Sequence, residues 1–224
     1  MKIKIDINIK VNRVIKHLVV SDLFFLGSWS MIQPIFSIFI VEKVAGASVV
    51  IVGLVAALYW LVKSILQIPV AQYLDKTDGE KDDFYVLVTA LFLAAFASFS
   101  FATVSTLWHL FFTQFIYAIA MGLYIPSWNA IFSRHLDEKK VSFDWSLDST
   151  IVGLTSFFTA IVSGFLANWL GFSFVFLTVG AFTMLSALLI FFTPNLIVPP
   201  KATIAVKEEP ELEPRDHTPA GLGR

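Results

Sequence analysis

The sequence predicts an all-α membrane protein, a bundle of six transmembrane helices, on three observations. Of 224 residues 57% are hydrophobic and only 15% are charged, whereas a soluble domain carries about 25% charged residues. Mean hydropathy is +0.76, and the apolar residues gather into six runs, each near the roughly 20 residues that a helix needs to cross a hydrocarbon core of about 30 Å. Basic residues collect between these runs almost wholly on one side.

The runs occupy 15–41, 48–73, 84–104, 107–132, 149–168 and 172–192. Charges or turn residues separate them: 42–47, the charged stretch 75–83, Ser105-Thr106, 133–148, and a tight corner at Trp169-Leu170-Gly171, where glycine supplies backbone freedom. The runs are far too long for membrane strands, which need only about ten alternating residues. Ahead of them, residues 1–13 alternate Ile with Lys or Asp and read as a cytoplasmic, solvated or interface-lying arm. A cleaved signal peptide does not fit, because the first run is too long and carries Asp22 inside it. The six-helix domain covers 14–195. From 196 to 224 Pro, Glu and Lys dominate, the composition of a disordered cytoplasmic tail.

Positive residues near a span resist translocation, so their distribution sets orientation. Lys2, Lys4, Lys10, Arg13, Lys16, Lys76, Lys81, Arg134, Lys139, Lys140, Lys201, Lys207, Arg215 and Arg224 fall on one side, and Lys43 alone on the other. An even number of crossings then puts both termini in the cytoplasm of a multi-pass protein of the cell (inner) membrane.

Several chemistries are poorly served. The chain has no cysteine, hence no disulfide, thiolate nucleophile or Cys-ligated metal. His17, His109, His135 and His217 lack metal-ligand spacing. No Gly-rich loop ends in Lys-Ser/Thr to cradle phosphates, and 16 basic against 17 acidic residues give no global charge to attract nucleic acid. The expectation is therefore no catalytic residue, no metal, no cofactor and no nucleic-acid partner.

Polar groups in lipid are costly and should face a cavity or another helix. Asp22, Trp29 and Gln33 share one face of the first run, and Gln114, Tyr117, Met121, Tyr124 and Trp128 one face of the fourth. The second carries Trp60, Lys63 and Gln67, three and four residues apart. The third and sixth contain no Asp, Glu, Lys, Arg, His, Asn or Gln. Lys63 lies too deep to snorkel easily and needs a partner; Asp22, at comparable depth on the neighbouring helix, is the candidate. Asp22 reads either as a packing carboxylate or as a proton- or substrate-binding one. The three glutamines read as interhelical hydrogen-bond glue or as cavity groups, and the aromatics as interface belt, core filler or cavity wall. Pro34, Pro69 and Pro126 interrupt helices and permit bends.

The loop after the second run reads Ala71-Gln72-Tyr73-Leu74-Asp75-Lys76-Thr77-Asp78-Gly79-Glu80-Lys81. It resembles the loop of the major facilitator superfamily written Gly-x-x-x-Asp-Arg/Lys-x-Gly-Arg-Arg/Lys. Asp75 and Lys76 match in position, Ala71 replaces the first Gly, Gly79 comes one residue late, and Lys81 is what remains of the basic pair. A looser likeness runs through Gly122-Leu-Tyr-Ile-Pro126-Ser-Trp-Asn-Ala130, Gly164 and Gly171-Phe172. The fifth run lacks the Gly-Pro pair of many antiporters in the family. The resemblance covers 14–195 and implies one half of a twelve-helix transporter, with the first and fourth helices lining the pathway, the third and sixth outermost, and the Asp75 loop docking on the other half. It implies secondary-active transport of an unidentified small solute, with Asp22 and Lys63 as candidates for proton coupling. A half needs a second wall, either another copy in a homodimer or a second six-helix unit, within the lipid bilayer. The competing readings are a non-transporting structural or accessory membrane protein and a fragment of a twelve-helix transporter.

Overall fold

Three helices begin where a short polar side chain takes up a free backbone N–H group. Asn12 accepts from the Val14 amide at 3.1 Å, Ser48 from Ile51 at 3.5 Å and Thr106 from His109 at 3.4 Å. The computed structural model describes residues 11–76, 80–137 and 139–193. The first ten residues of the arm, Gly79 of the loop and the 196–224 tail lie outside the described residues. Among those described, seven helices follow one another: α1 Arg13–Trp29, α2 Phe36–Lys43, α3 Val49–Asp75, α4 Lys81–Phe101, α5 Leu107–Arg134, α6 Val141–Leu170 and α7 Phe172–Phe191. Five of them, α3 to α7, are long and apolar enough to cross a membrane.

The first apolar run is not one continuous helix, as its length suggested. It folds as α1 of 17 residues and α2 of 8, joined by turns. Two local causes coincide there. Pro34 has no N–H to continue the ladder, and its ring opposes the carbonyl four residues back. Ser28 and Ser30 hydrogen-bond the carbonyls of Phe25 at 2.9 Å and Leu26 at 3.0 Å, a back-bonding that bends helices. Pro69 and Pro126, by contrast, sit inside helices that run on through them.

A second correction concerns α6, which starts at Val141, eight residues before the expected 149. The stretch taken as loop contains Trp145, whose ring lies 4.7 Å from Phe132 and 5.8 Å from Trp128, and Asp144 in the first turn, where a negative charge meets the positive end of the helix dipole. The corner after α6 is as expected: Gly171 takes φ 85° and α7 starts directly after it.

Around the bundle α3 packs on α5, α5 on α4, α4 on α7, α7 on α1, and α1 on α6. Phe25, Phe101, Phe132 and Phe176 fill the centre, fully buried. The family likeness placed the third and sixth spans outermost. Within this chain α4 and α7 pack on each other, and small residues let them approach closely. Ser98 Oγ donates to the Phe176 carbonyl at 2.8 Å, and a Cβ at Gly180 would stand 2.6 Å from the Phe99 ring. The flanks are α3 and α6. Val55 and Leu74 are the buried residues of α3, Asp144 and Ser163 those of α6, and long apolar faces including Leu61, Ile65, Phe158 and Phe165 are exposed.

A candidate transport cleft

The break at Pro34 and the tight face of α5 together build a walled cleft. On α5 the four-residue spacing from Met121 back to Tyr117 turns these side chains to one side. Tyr117 stacks on Trp29 at 3.8 Å and on Tyr59 of α3 at 5.5 Å, so three near-parallel rings tie α1, α5 and α3 together. The Trp29 indole N–H donates to Thr183 Oγ1 at 3.1 Å, which fixes one end of the stack to α7. Gln33, exposed in the turn before Pro34, projects beside it.

Two openings adjoin this stack. The larger, about 860 Å³, is lined by Trp29, Ser30, Gln33, Tyr59, Tyr117 and Ser156, among others. The smaller, about 470 Å³, shares Trp29, Gln33, Tyr59 and Tyr117 and adds Trp60 and Gln114. Ser30 and Ser156 share a hydrogen bond of 2.6 Å, and Thr159 donates to the Gly27 carbonyl at 2.8 Å, holding α6 to α1 along one side. Of the residues singled out by sequence, Trp29, Gln33, Gln114 and Tyr117 therefore meet at one place.

Asp22 and Tyr124 meet at another. The Tyr124 hydroxyl donates to the Asp22 carboxyl, and the Tyr124 ring packs edge-on to Phe25 at 4.8 Å. Asp22 is 1% exposed, so this bond is central to its solvation. The expected Asp22–Lys63 pair does not form. α3 packs on α5 rather than on α1, and the Lys63 ammonium rests over Trp60 at 4.5 Å and Tyr59 at 5.5 Å. Gln67 lies elsewhere again, in an opening of about 630 Å³ between α3 and α5 that also holds Asp75, Asn129 and Arg134. Asp75 and Lys76 are exposed at the end of α3.

Three groupings escaped the sequence reading. Tyr59, the third ring of the stack, lacked a charge or amide to mark it. Asp148 was assigned to a loop; on α6 it stands close enough to Asp22 for their charges to interact, with Oδ1 buried and unpaired. At the Asp75 end of the bundle Arg134 pairs with the buried carboxylate of Asp83, His135 lies 3.7 Å from Glu80, and Asn12 donates to the His135 carbonyl at 3.1 Å. Burial pushes the Glu80 carboxyl above its ordinary range, against the pull of His135 and Arg134. The signal for this network was a charge at the start of one helix and an opposite charge at the end of the next.

Amides, hydroxyls and rings face an opening, and among the described residues no group of three or more His, Asp or Glu side chains is placed to hold a metal. No curated protein matches the chain. The sequence model of the Major Facilitator Superfamily matches residues 18–221, reaching from within α1 past the end of α7. Spanning apolar helices, a polar-walled cleft and that match over most of a length that fits one half of such a protein agree: this multi-pass membrane chain belongs to the Major Facilitator Superfamily, whose members are transporters and not enzymes.

Proposed function

We propose that the chain works as a half transporter, moving a small solute by secondary-active transport when paired with a copy of itself or with another six-helix unit. In this reading α1 and α2 together make one broken span, so that the chain crosses the cell membrane six times with both termini in the cytoplasm. The observation that carries the proposal is the open cleft. Gln33, Tyr59 and Ser156 line a space between α1, α3, α5 and α6 that stays open to the outside of the bundle. Polar groups are not left facing lipid, so the missing wall is water together with a second bundle. The exposed flanks α3 and α6 are the surfaces such a bundle would meet. The Asp75-Lys76 end of α3 is then the docking loop, and Asp22, with its lone hydroxyl donor, is the group assigned to proton coupling.

The cysteine-free chain makes a direct test possible. Single cysteines at Leu61 on α3 and Phe158 on α6 should give disulfide-linked dimers in native membranes, or adducts with a second six-helix protein, whereas a cysteine at Phe96 on α4 should not. Purified pairs in proteoliposomes should accumulate solute only under an imposed ion gradient. A chain that stays monomeric in the membrane at all three positions would refute pairing and leave an accessory role.

A further inference from the structure

Beside the smaller opening Lys63 has only aromatic partners, and in its wall Gln114 has no hydrogen-bond partner among the described residues; both can donate to an anion. Lys63 is half-buried in the middle of α3, and among the described residues no carboxylate lies within ion-pair distance of it. Its ammonium rests on Trp60 and Tyr59, two rings that wall the 470 Å³ opening. Asp22, the acid at similar depth, is engaged instead by Tyr124, two turns along α5 from Tyr117. Gln114 is 5% exposed and lines the same opening, yet its side-chain amide forms no hydrogen bond among the described residues. An amide that faces the opening and an intramembrane ammonium held only by two rings can each take a hydrogen-bonding partner from the opening.

We propose that this opening takes an organic anion, a carboxylate-bearing solute with a flat apolar body. The carboxylate accepts from the Lys63 ammonium and from the amide N–H groups of Gln114 and Gln33. The body lies among Trp29, Trp60, Phe36 and Phe101, whose faces and edges accept a flat ligand. Binding exchanges the cation–π contacts of Lys63 for a charge-assisted hydrogen bond, which is the stronger interaction where water is excluded. The inference rests on the transporter reading for its purpose and on the cleft alone for its chemistry.

Ser37 lines the opening, so Ser37→Cys in the otherwise cysteine-free chain reports the field inside it. The full-length purified protein is labelled with two methanethiosulfonates of similar size, the anionic ethylsulfonate and the cationic ethyltrimethylammonium. Rates are taken relative to Ser105→Cys in the exposed turn between α4 and α5. A unit positive charge in a partly desolvated cleft should favour the anion by roughly tenfold. Lys63→Gln should remove that preference and Lys63→Arg should keep it. In the Ser37→Cys protein with Lys63 intact, benzoate should slow labelling more than benzamide, its neutral counterpart. Equal rates for the two reagents, a preference for the cation, or equal protection by benzoate and benzamide would overturn the proposal. None of these measurements requires transport: a charge preference without transport leaves the anion site standing, and transport without it removes the site alone.

Discussion

Tyr124→Phe removes one oxygen and leaves the ring packed on Phe25, so its effect isolates the hydrogen bond to Asp22. The expected loss depends on the charge that Asp22 carries. A hydrogen bond to a charged acceptor is worth about 1.5–3 kcal/mol, while neutral interhelical bonds in membrane proteins average about 0.6 kcal/mol. Asp22 is 1% exposed and accepts from Tyr124, with the Trp128 indole also close by, so little water can replace the lost donor. With Asp22 ionised, Tyr124→Phe should cost about 2 kcal/mol. Asp22→Asn keeps the volume and removes the charge, and in that background Tyr124→Phe should cost about 0.6 kcal/mol, giving a coupling of about 1.4 kcal/mol. Reversible unfolding in mixed micelles, followed by near-ultraviolet circular dichroism, measures all four corners of the cycle. A coupling indistinguishable from zero would refute the idea that Tyr124 solvates Asp22.

Arg134→Gln should destabilise by about 3 kcal/mol, the low end for a broken buried pair, because Asp83 is fully buried while Arg134 is 35% exposed; the same unfolding assay should find the double change with Asp83→Asn milder than the single one. Gly180→Val should cost about 1–3 kcal/mol by overpacking against Phe99, whereas Gly164→Ala on α6, with no atom within 4 Å of its added Cβ, should raise the melting temperature, since Ala favours helix by about 1 kcal/mol. For orientation, a membrane-impermeant thiol reagent on intact cells should label Ala47→Cys and spare Lys139→Cys; the reverse pattern would invert the topology.

The sequence was most legible where one physical demand dominates. The length of an apolar run fixed α3, α4, α5 and α7 to within three residues at either end, because lipid thickness sets the requirement and nothing else competes. It failed where two demands overlap. Between Trp29 and Phe36 the run is apolar enough to span, but Pro34 and two back-bonding serines break the ladder. Ahead of Ser149, Asp144 and Asp148 disguised two turns of helix as loop. In the site, periodicity found Trp29, Gln33, Gln114 and Tyr117, since each helix face is encoded locally. Which faces meet is not local. Asp22 and Lys63 matched in depth, yet α5 stands between their helices and each found an aromatic partner.

The same logic explains how labour divides among the helices. Beyond Asp83, α4 and α7 carry no charged or amide side chain, so they can be packed tightly through Ser98, Gly180 and Ala187 into a back wall. α1 and α5 lie against that wall, hydrogen-bonded to it through Ser21, Trp29 and Thr113, and present Tyr117 and, in the turn after α1, Gln33 to the cleft. α3 is attached through α5, where Gly122 brings the backbone close enough that an added Cβ would strike Leu66 at 2.9 Å. α6 is attached through α1 and α7, and Gly27 does the same against Thr155 at 2.5 Å. Each flank thus hangs on a close glycine contact beside the cleft, while its outer face is free. Filling either contact should displace one flank relative to the stack of Tyr59, Tyr117 and Trp29 without unfolding the back wall. Gly122→Ala is the sharper case, because the stack itself bridges α5 to α3. It should change the exposure of Trp60 to the neutral quencher acrylamide, read in a chain whose other tryptophans are phenylalanine, and leave the helical circular dichroism unchanged. Quenching identical to that of the same chain with Gly122 would mean that α3 does not ride on this contact.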